Sequence, residues 1–137
     1  TTSRNALLDV LAHARRPLSI PEILAADATL AQSSVYRNLV ILEHAGVVHR
    51  IVTNGDFARF ELAEGLTGDH HHHLICTTCG GVEDAPADPA IERALDAAID
   101  EIERATGFRT TAHRLDLVGQ CRACSLVRSG DGAPSAR

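Results

Sequence analysis

Residues 70–80 read HHHHLICTTCG: four histidines run without a break into the β-prone Leu74-Ile75-Cys76 and then a C-x-x-C-G turn. Side chains alternate faces along a strand. His70 and His72 are therefore expected on one face and His71 and His73 on the other, so one strand offers two bidentate imidazole anchors for Zn, Ni, Fe or Cu. Cys76 and Cys79 set two thiols on one tight turn, and a second pair, Cys121 and Cys124, follows after a 41-residue gap. Two such turns complete a closed, tetrahedral four-sulfur site for Zn2+, which is structural because it leaves no position open for chemistry. The alternatives are four unrelated buried thiols or a redox dithiol. The absence of a signal-peptide layout and of any apolar run near 20 residues places the chain in the cytoplasm and off the membrane, where disulfides are disfavoured.

Downstream of the knuckle the pattern predicts a short strand from Val82 to Ala85 and a helix from Pro89 to Thr106 closed by Gly107. A strand from Arg109 to Val118 then leads into Cys121. The zinc thus ties the first strand of this unit to its last. Ser129 to Arg137 is Gly/Ser/Pro-rich and reads as a disordered tail. Upstream, Glu64 to Asp69 reads as a low-complexity hinge.

Before the hinge come three short helices. Leu7, Leu8, Leu11 and Ala14 line one face of the first, with Ser3 as its cap. Ser19-x-x-Glu22 and Thr29-x-x-Gln32 have capping-box spacing, and Val35, Leu39 and Leu42 form a stripe ending at Gly46. Two β-prone runs follow, Val47–Val52 and Phe57–Leu62, joined by Asn54-Gly55, a strong hairpin signal. Three helices and a hairpin are the order of a winged helix-turn-helix. Its third helix carries Ser33, Ser34, Tyr36, Arg37 and Asn38 near the N-terminal end, where such a helix meets DNA. The net charge of −5 argues against a broadly basic nucleic-acid binder, but the 13 basic residues are all Arg, and Arg4, Arg37, Arg50 and Arg59 are candidates for local contacts.

Further ligands for the histidine run must come from elsewhere. The candidates are His13, His44, His49, His113 and nearby carboxylates, with Asp96 on the helix before His113 and Glu61 on the hairpin. If Asn54-Gly55 makes a two-residue turn, His49 pairs with Phe60 and faces away from Glu61.

Ser34-Val35-Tyr36-Arg37-Asn38-Leu39, the HHHHLICTTCG run and Cys121-Arg122-Ala123-Cys124 together resemble the ferric uptake regulator family of metal-dependent repressors over Ser3 to Ser125. The resemblance implies an α+β chain: a winged-helix DNA-binding domain over 1–64, a hinge over 65–69 and an α/β dimerisation domain over 70–128. It implies structural zinc on Cys76, Cys79, Cys121 and Cys124, and a hinge-side regulatory site on His71, His73 and Glu61. A second site is implied on His70, His72 and His113, with Asp96 where relatives carry Glu. Two departures stand out. Arg15-Arg16-Pro17 occupies the loop where iron- and peroxide-type members bring a His, and no Cys lies near Ala63, where the zinc type often has one. His49 sits where zinc-sensing members place a ligand, so the zinc uptake regulator type is the nearest.

The expected function is a zinc-responsive homodimeric repressor of an AT-rich palindromic operator, with Ser33, Ser34, Tyr36, Arg37, Arg4 and Arg59 on the DNA. Fe2+, Ni2+ and Mn2+ are alternative signals, and peroxide is another within the family. A zinc hydrolase would need an open coordination position and a general base. No H-E-x-x-H is present, so the chain is read as not an enzyme.

Overall fold

The computed structural model describes residues 1–53 and 58–130. The Asn54-Gly55 turn and the tail from 131 onward lie outside them. Helix α1 spans Thr2–His13 and starts before Ser3 would have begun it, because the Thr1 hydroxyl accepts from the Arg4 N–H. Strand β1, Leu18–Ser19, leads directly into α2, Ile20–Ala26, where Ser19 and Glu22 form the reciprocal capping box. Helix α3 spans Gln32–His44 and has Ala31 rather than Thr29 at its cap. Thr29 is diverted: its N–H and hydroxyl both bind Asp27 Oδ1, at 2.9 and 2.6 Å. Such side-chain turns compete with helix capping for the same groups.

Strands β2, Val48–Ile51, and β3, Arg59–Leu62, pair antiparallel, and β1 adds to the other edge of β3. The register sets His49 opposite Glu61 and Arg50 opposite Phe60. His49 therefore does not pair with Phe60 as a two-residue turn would require, and it shares a face with Glu61. Leu7, Leu11, Ile23, Leu30, Val35, Leu39, Leu42, Val48 and Phe60 form the core of this unit. Leu7, Leu11, Val35, Leu39 and Leu42 come from the helical stripes read from the sequence and Val48 and Phe60 come one from each wing strand, while Ile23 of α2 and Leu30 before α3 join the core from outside those stripes. Asn38 is also buried, and it accepts from Arg4 Nε at 3.2 Å, which ties the start of α1 to α3.

The stretch expected to be a hinge contains a turn of helix rather than being an irregular linker: α4, Glu64–Thr67, ends at Gly68 with φ +73°. The second sheet has β4, His71–Cys76, at its centre. Strand β5, Val82–Pro86, pairs with it antiparallel, and β6, Asp116–Gly119, pairs with it parallel. A parallel partner needs a crossover. Helix α5, Pro89–Thr106, supplies it, capped by Asp88 and closed by Gly107 at φ +73°. The last strand is shorter than predicted, since residues 109–115 have no regular structure, and a sixth helix, α6, runs over Arg122–Gly130 into the stretch read as tail.

The second unit has little core of its own. Ile75 and Val82 pack with Ile51 of β2, so the first sheet completes the second unit's apolar cluster.

Candidate metal centres

Three clusters of donor atoms, each with its members within 4.8 Å of one another, lie on or beside β4. The first joins Cys76, Cys79, Cys121 and Cys124. Cys79 and Cys121 sulfurs are 3.9 Å apart, far beyond a disulfide bond of about 2.05 Å and close to the ~3.8 Å edge of a zinc–thiolate tetrahedron. The Cys121 and Cys79 backbone N–H groups aim at the Cys76 sulfur and hold that thiol down to about 6. Hydrogen bonding with Cys121 and burial push Cys124 up to about 12. One thiol ionises easily and the last resists, which is what four converging sulfurs do without a cation among them. The donor set fits Zn2+.

The strand alternation of the histidine run is realised. His71 and His73 meet Glu61 and Asp84, whereas His70 and His72 meet Glu92 and His113. In the hinge cluster, Glu61 straddles two imidazoles, with Oε2 3.0 Å from His71 Nε2 and Oε1 2.9 Å from His73 Nε2. Asp84 Oδ1 stands 3.7 and 4.0 Å from the same two nitrogens. Edges near ~3.4 Å are expected of a tetrahedral N/O site. The outer nitrogen of His73 lies 3.1 Å from Asp116 Oδ1, the carboxylate–histidine arrangement that orients a metal ligand. In the second cluster, His70 Nε2 and His113 Nε2 are 3.1 Å apart and each is 3.0 Å from Glu92 Oε2. His72 Nε2 also bonds Glu92. Two imidazole nitrogens facing each other need a proton or a cation between them, so this set fits a metal too.

Two expected ligands are not in these clusters. His49 shares a face with Glu61 but sits on the edge strand, a strand spacing of about 4.8 Å to the side. The fourth corner is filled by Asp84, directly opposite His73 in the β4–β5 ladder. Asp96 lies one turn beyond Glu92 on the same face of α5 and lines a groove with Thr110–His113. Glu92, longer by a methylene and a turn nearer the strand, takes the place assigned to it. Both replacements were findable: Asp84 by counting outward from the knuckle turn, and Glu92 by stepping back four residues along the helix.

Burial alone would raise the Glu61 carboxyl, but hydrogen bonds from His73 and His71 outweigh it and hold it below the usual range. Burial alone would lower both imidazoles, and Glu61, helped by Asp84 at His71 and Asp116 at His73, raises them instead. The histidine contribution to the metal-free contact is therefore full below the ordinary value of about 6.5 and is lost as pH rises through the raised one. Glu61's contribution is lost only as pH falls through its depressed value. Metal needs neutral imidazoles. Competitive chelator titration should therefore show Zn2+ affinity at the hinge cluster climbing with pH until the raised imidazole values are passed and levelling off above them, with proton release approaching one per imidazole on the acid side; a flat profile on the acid side would remove these two histidines as ligands.

The ferric uptake regulator family signature matches residues 1–118. The chain belongs to that family. A ferric uptake regulation protein of Bordetella parapertussis is 35% identical over 106 residues, covering 77% of this chain and 70% of its own. The peroxide operon regulator of Bacillus subtilis is 28% identical over 133 residues, covering 91% and 83%. Among solved structures, the Helicobacter pylori ferric uptake regulator superposes with TM-score 0.72 at 27% identity, covering 91% of this chain and 81% of that one; its structure reveals three functional metal-binding sites. As a family member the chain is a metal-responsive transcriptional regulator and not an enzyme. Its architecture is the family's DNA-binding domain followed by a dimerisation domain.

For a regulator of this family the arginines are sorted by the fold. Arg37 and Ser33 are exposed on α3, Tyr36 is 52% exposed beside them and Ser34 is half-buried. Arg59, expected on the DNA, is turned inward, its side chain only 12% exposed. Its Nη1 donates to both Glu22 oxygens, at 3.0 and 2.9 Å, and its Nε donates to the Gly80 carbonyl beside the first cysteine turn at 3.0 Å. Arg59 links the winged-helix unit to the first cysteine turn. Charge-assisted bonds of this kind contribute about 1.5–3 kcal/mol each. Arg59→Ala should destabilise the chain by about 2 kcal/mol or more while leaving the salt dependence of DNA binding unchanged; a slope reduced by about one would mark a phosphate contact instead.

Proposed function

We propose that the chain is a zinc-responsive homodimeric repressor in which Glu61, His71, His73 and Asp84 sense the ion. The observation that carries this reading is the split donor set. Glu61 lies on the wing strand β3, and its three companions lie on β4 and β5 across α4. When the ion is bound it holds both sides in one orientation, and opening costs the shell a ligand. A near-complete switch needs about 10^4-fold tighter binding to one arrangement, about 5.5 kcal/mol. Cys76, Cys79, Cys121 and Cys124 hold the structural Zn2+ in this reading.

Zinc is favoured over Fe2+ and Mn2+ because a given N/O site binds it more tightly, and four donors suit its tetrahedral preference. Asp84 in place of a third imidazole supports a second reading, a signal of Fe2+ or Mn2+, since carboxylates suit those ions as well. Leu117 and Val118 of β6 and Ile91 and Ile102 of α5 are large apolar residues left exposed in one chain, and they are the face a second copy would cover. Pairing that sets two α3 helices about 34 Å apart fits a palindrome.

Gel shifts on an AT-rich palindrome after chelation, with Zn2+, Fe2+, Mn2+ or Ni2+ restored singly, test the reading. Zinc alone should restore binding at the lowest free concentration. Metal-independent binding would end the switch, and restoration by Fe2+ or Mn2+ at lower concentration would favour the second reading. Arg37→Ala should weaken the zinc-bound complex by about 1–3 kcal/mol with metal content unchanged.

A further inference from the structure

The second cluster is tied to the hinge by a single carboxylate. His70 presents Nε2 to Glu92 and His113, and its other ring nitrogen, Nδ1, lies 3.0 Å from Glu64 Oε2. Glu64 is the first residue of α4, the one-turn helix between the two units. It stands three positions after Glu61, and His70 stands one position before His71. The segment 61–71 is thus a loop closed twice, by Glu61 on His71 at one rung and by Glu64 on His70 at the next. The first rung belongs to the hinge cluster and the second to the other cluster. His72 offers no such link: its Nδ1 is buried without a hydrogen-bond partner.

We propose that Glu64 is a positioning residue that couples the two metal centres, so that filling the second centre strengthens binding at the hinge centre. The inference rests on the reading that both clusters hold metal. A histidine that ligates through Nε2 keeps its proton on Nδ1, and a carboxylate facing that N–H fixes the ring and is itself fixed by it. His70 therefore donates Nδ1–H to Glu64 when the second centre is filled. That contact anchors the first turn of α4 to β4, and Glu61, on the same stretch of chain, is held at His71 and His73 before an ion arrives there. Charge points the same way. Glu61 and Asp84 balance a divalent ion at the hinge, whereas the second centre has only Glu92, and Glu64 supplies the missing negative charge one bond further out. Glu64 and His70 are about one-third exposed, so hydrogen bonds rather than packing align them: Glu64 also accepts from the His71 backbone N–H, and His70 is held on its other side by Glu92 and His113.

A double-mutant cycle on the full-length dimer tests the coupling, with Zn2+ as the probe and competing chelators as the readout. His113→Ala disables the second centre without touching the hinge. It should lower hinge-centre Zn2+ affinity by about five-fold or more, within the range of ordinary site coupling. Glu64→Ala should produce the same loss while the second centre still fills, and adding His113→Ala to it should change nothing further. Glu64→Gln keeps an oxygen to accept from Nδ1–H and should retain most of the coupling. Limited proteolysis within 62–69 should slow when the second centre is filled in the wild type and not in Glu64→Ala. Losses that multiply independently, or hinge affinity indifferent to His113→Ala, would overturn the proposal with the metal reading intact. A wild-type chain that binds only the ion of the four-cysteine site would overturn the metal reading and the proposal together.

Discussion

Cys121→Ser is expected to abolish the second sheet rather than merely loosen it. Among the described residues, Ile75 and Val82 are what this sheet contributes to a buried apolar cluster, and the third member, Ile51, comes from the other unit. At about 1.5–3 kcal/mol per buried side chain, three such residues contribute on the order of 5–9 kcal/mol. Ordering backbone costs about 1–2 kcal/mol per residue, so this cluster cannot hold three strands and a crossover helix. β6 is exposed along its whole length and joins β4 through a four-residue parallel ladder ending at Cys76 and Gly119. A structural zinc contributes about 10–16 kcal/mol of folding free energy at neutral pH, the largest single term available. Zinc content should fall by one ion per chain, the dimer should dissociate, and circular dichroism should lose the strand signal while α1 to α3, with their own core, persist. A mutant that stayed dimeric with its sheet intact would show that the thiols are not what holds this unit together.

Glu61→Ala is expected to leave the fold and the ion of the four-cysteine site in place and to remove the response to metal. Both oxygens of this carboxylate face imidazoles from the other unit, and among the described residues no other member of the first unit joins the cluster. Without it the remaining three donors all sit on one side of the hinge, so an ion bound there no longer distinguishes open from closed. Operator affinity at saturating Zn2+, measured by fluorescence anisotropy, should fall to the metal-free level, a loss of up to about 10^4-fold. Truncating His73 should do the same. Full metal-dependent affinity in Glu61→Ala would show that the switch lies elsewhere.

The helical stripes, the capping box at Ser19 and the alternation of His70 to His73 were legible because each depends on residues close together in the chain. Where the structure places a residue elsewhere than expected, the cause lies in the three-dimensional setting. His49, Asp96 and Arg59 were assigned from position along the sequence: Asp84 of β5 takes the corner expected of His49, Glu92 one turn earlier on α5 takes that of Asp96, and Arg59 is drawn to partners distant in the chain. A wing register with His49 opposite Glu61 and not Phe60 aligned the right faces, yet Asp84 filled the corner from a strand of the other sheet. Arg59 found Glu22 and Gly80, which no local pattern links to it. The helical turn at Glu64 was hidden by its glycines, since Gly65 lowers helix propensity and Gly68 serves only to end the turn.

The amino-acid sequence by itself determined the three helices and two wing strands of the first unit, the family, the sulfur donors and the division of four histidines between two faces, which follow from spacing, helical periodicity and strand alternation. The tertiary structure alone decided which carboxylates complete each cluster, which arginine is drawn away from the DNA face, and that Glu64 stands between the two centres. Those outcomes depend on how two sheets and a crossover helix are set against one another, and that relation is encoded in no single stretch of the chain.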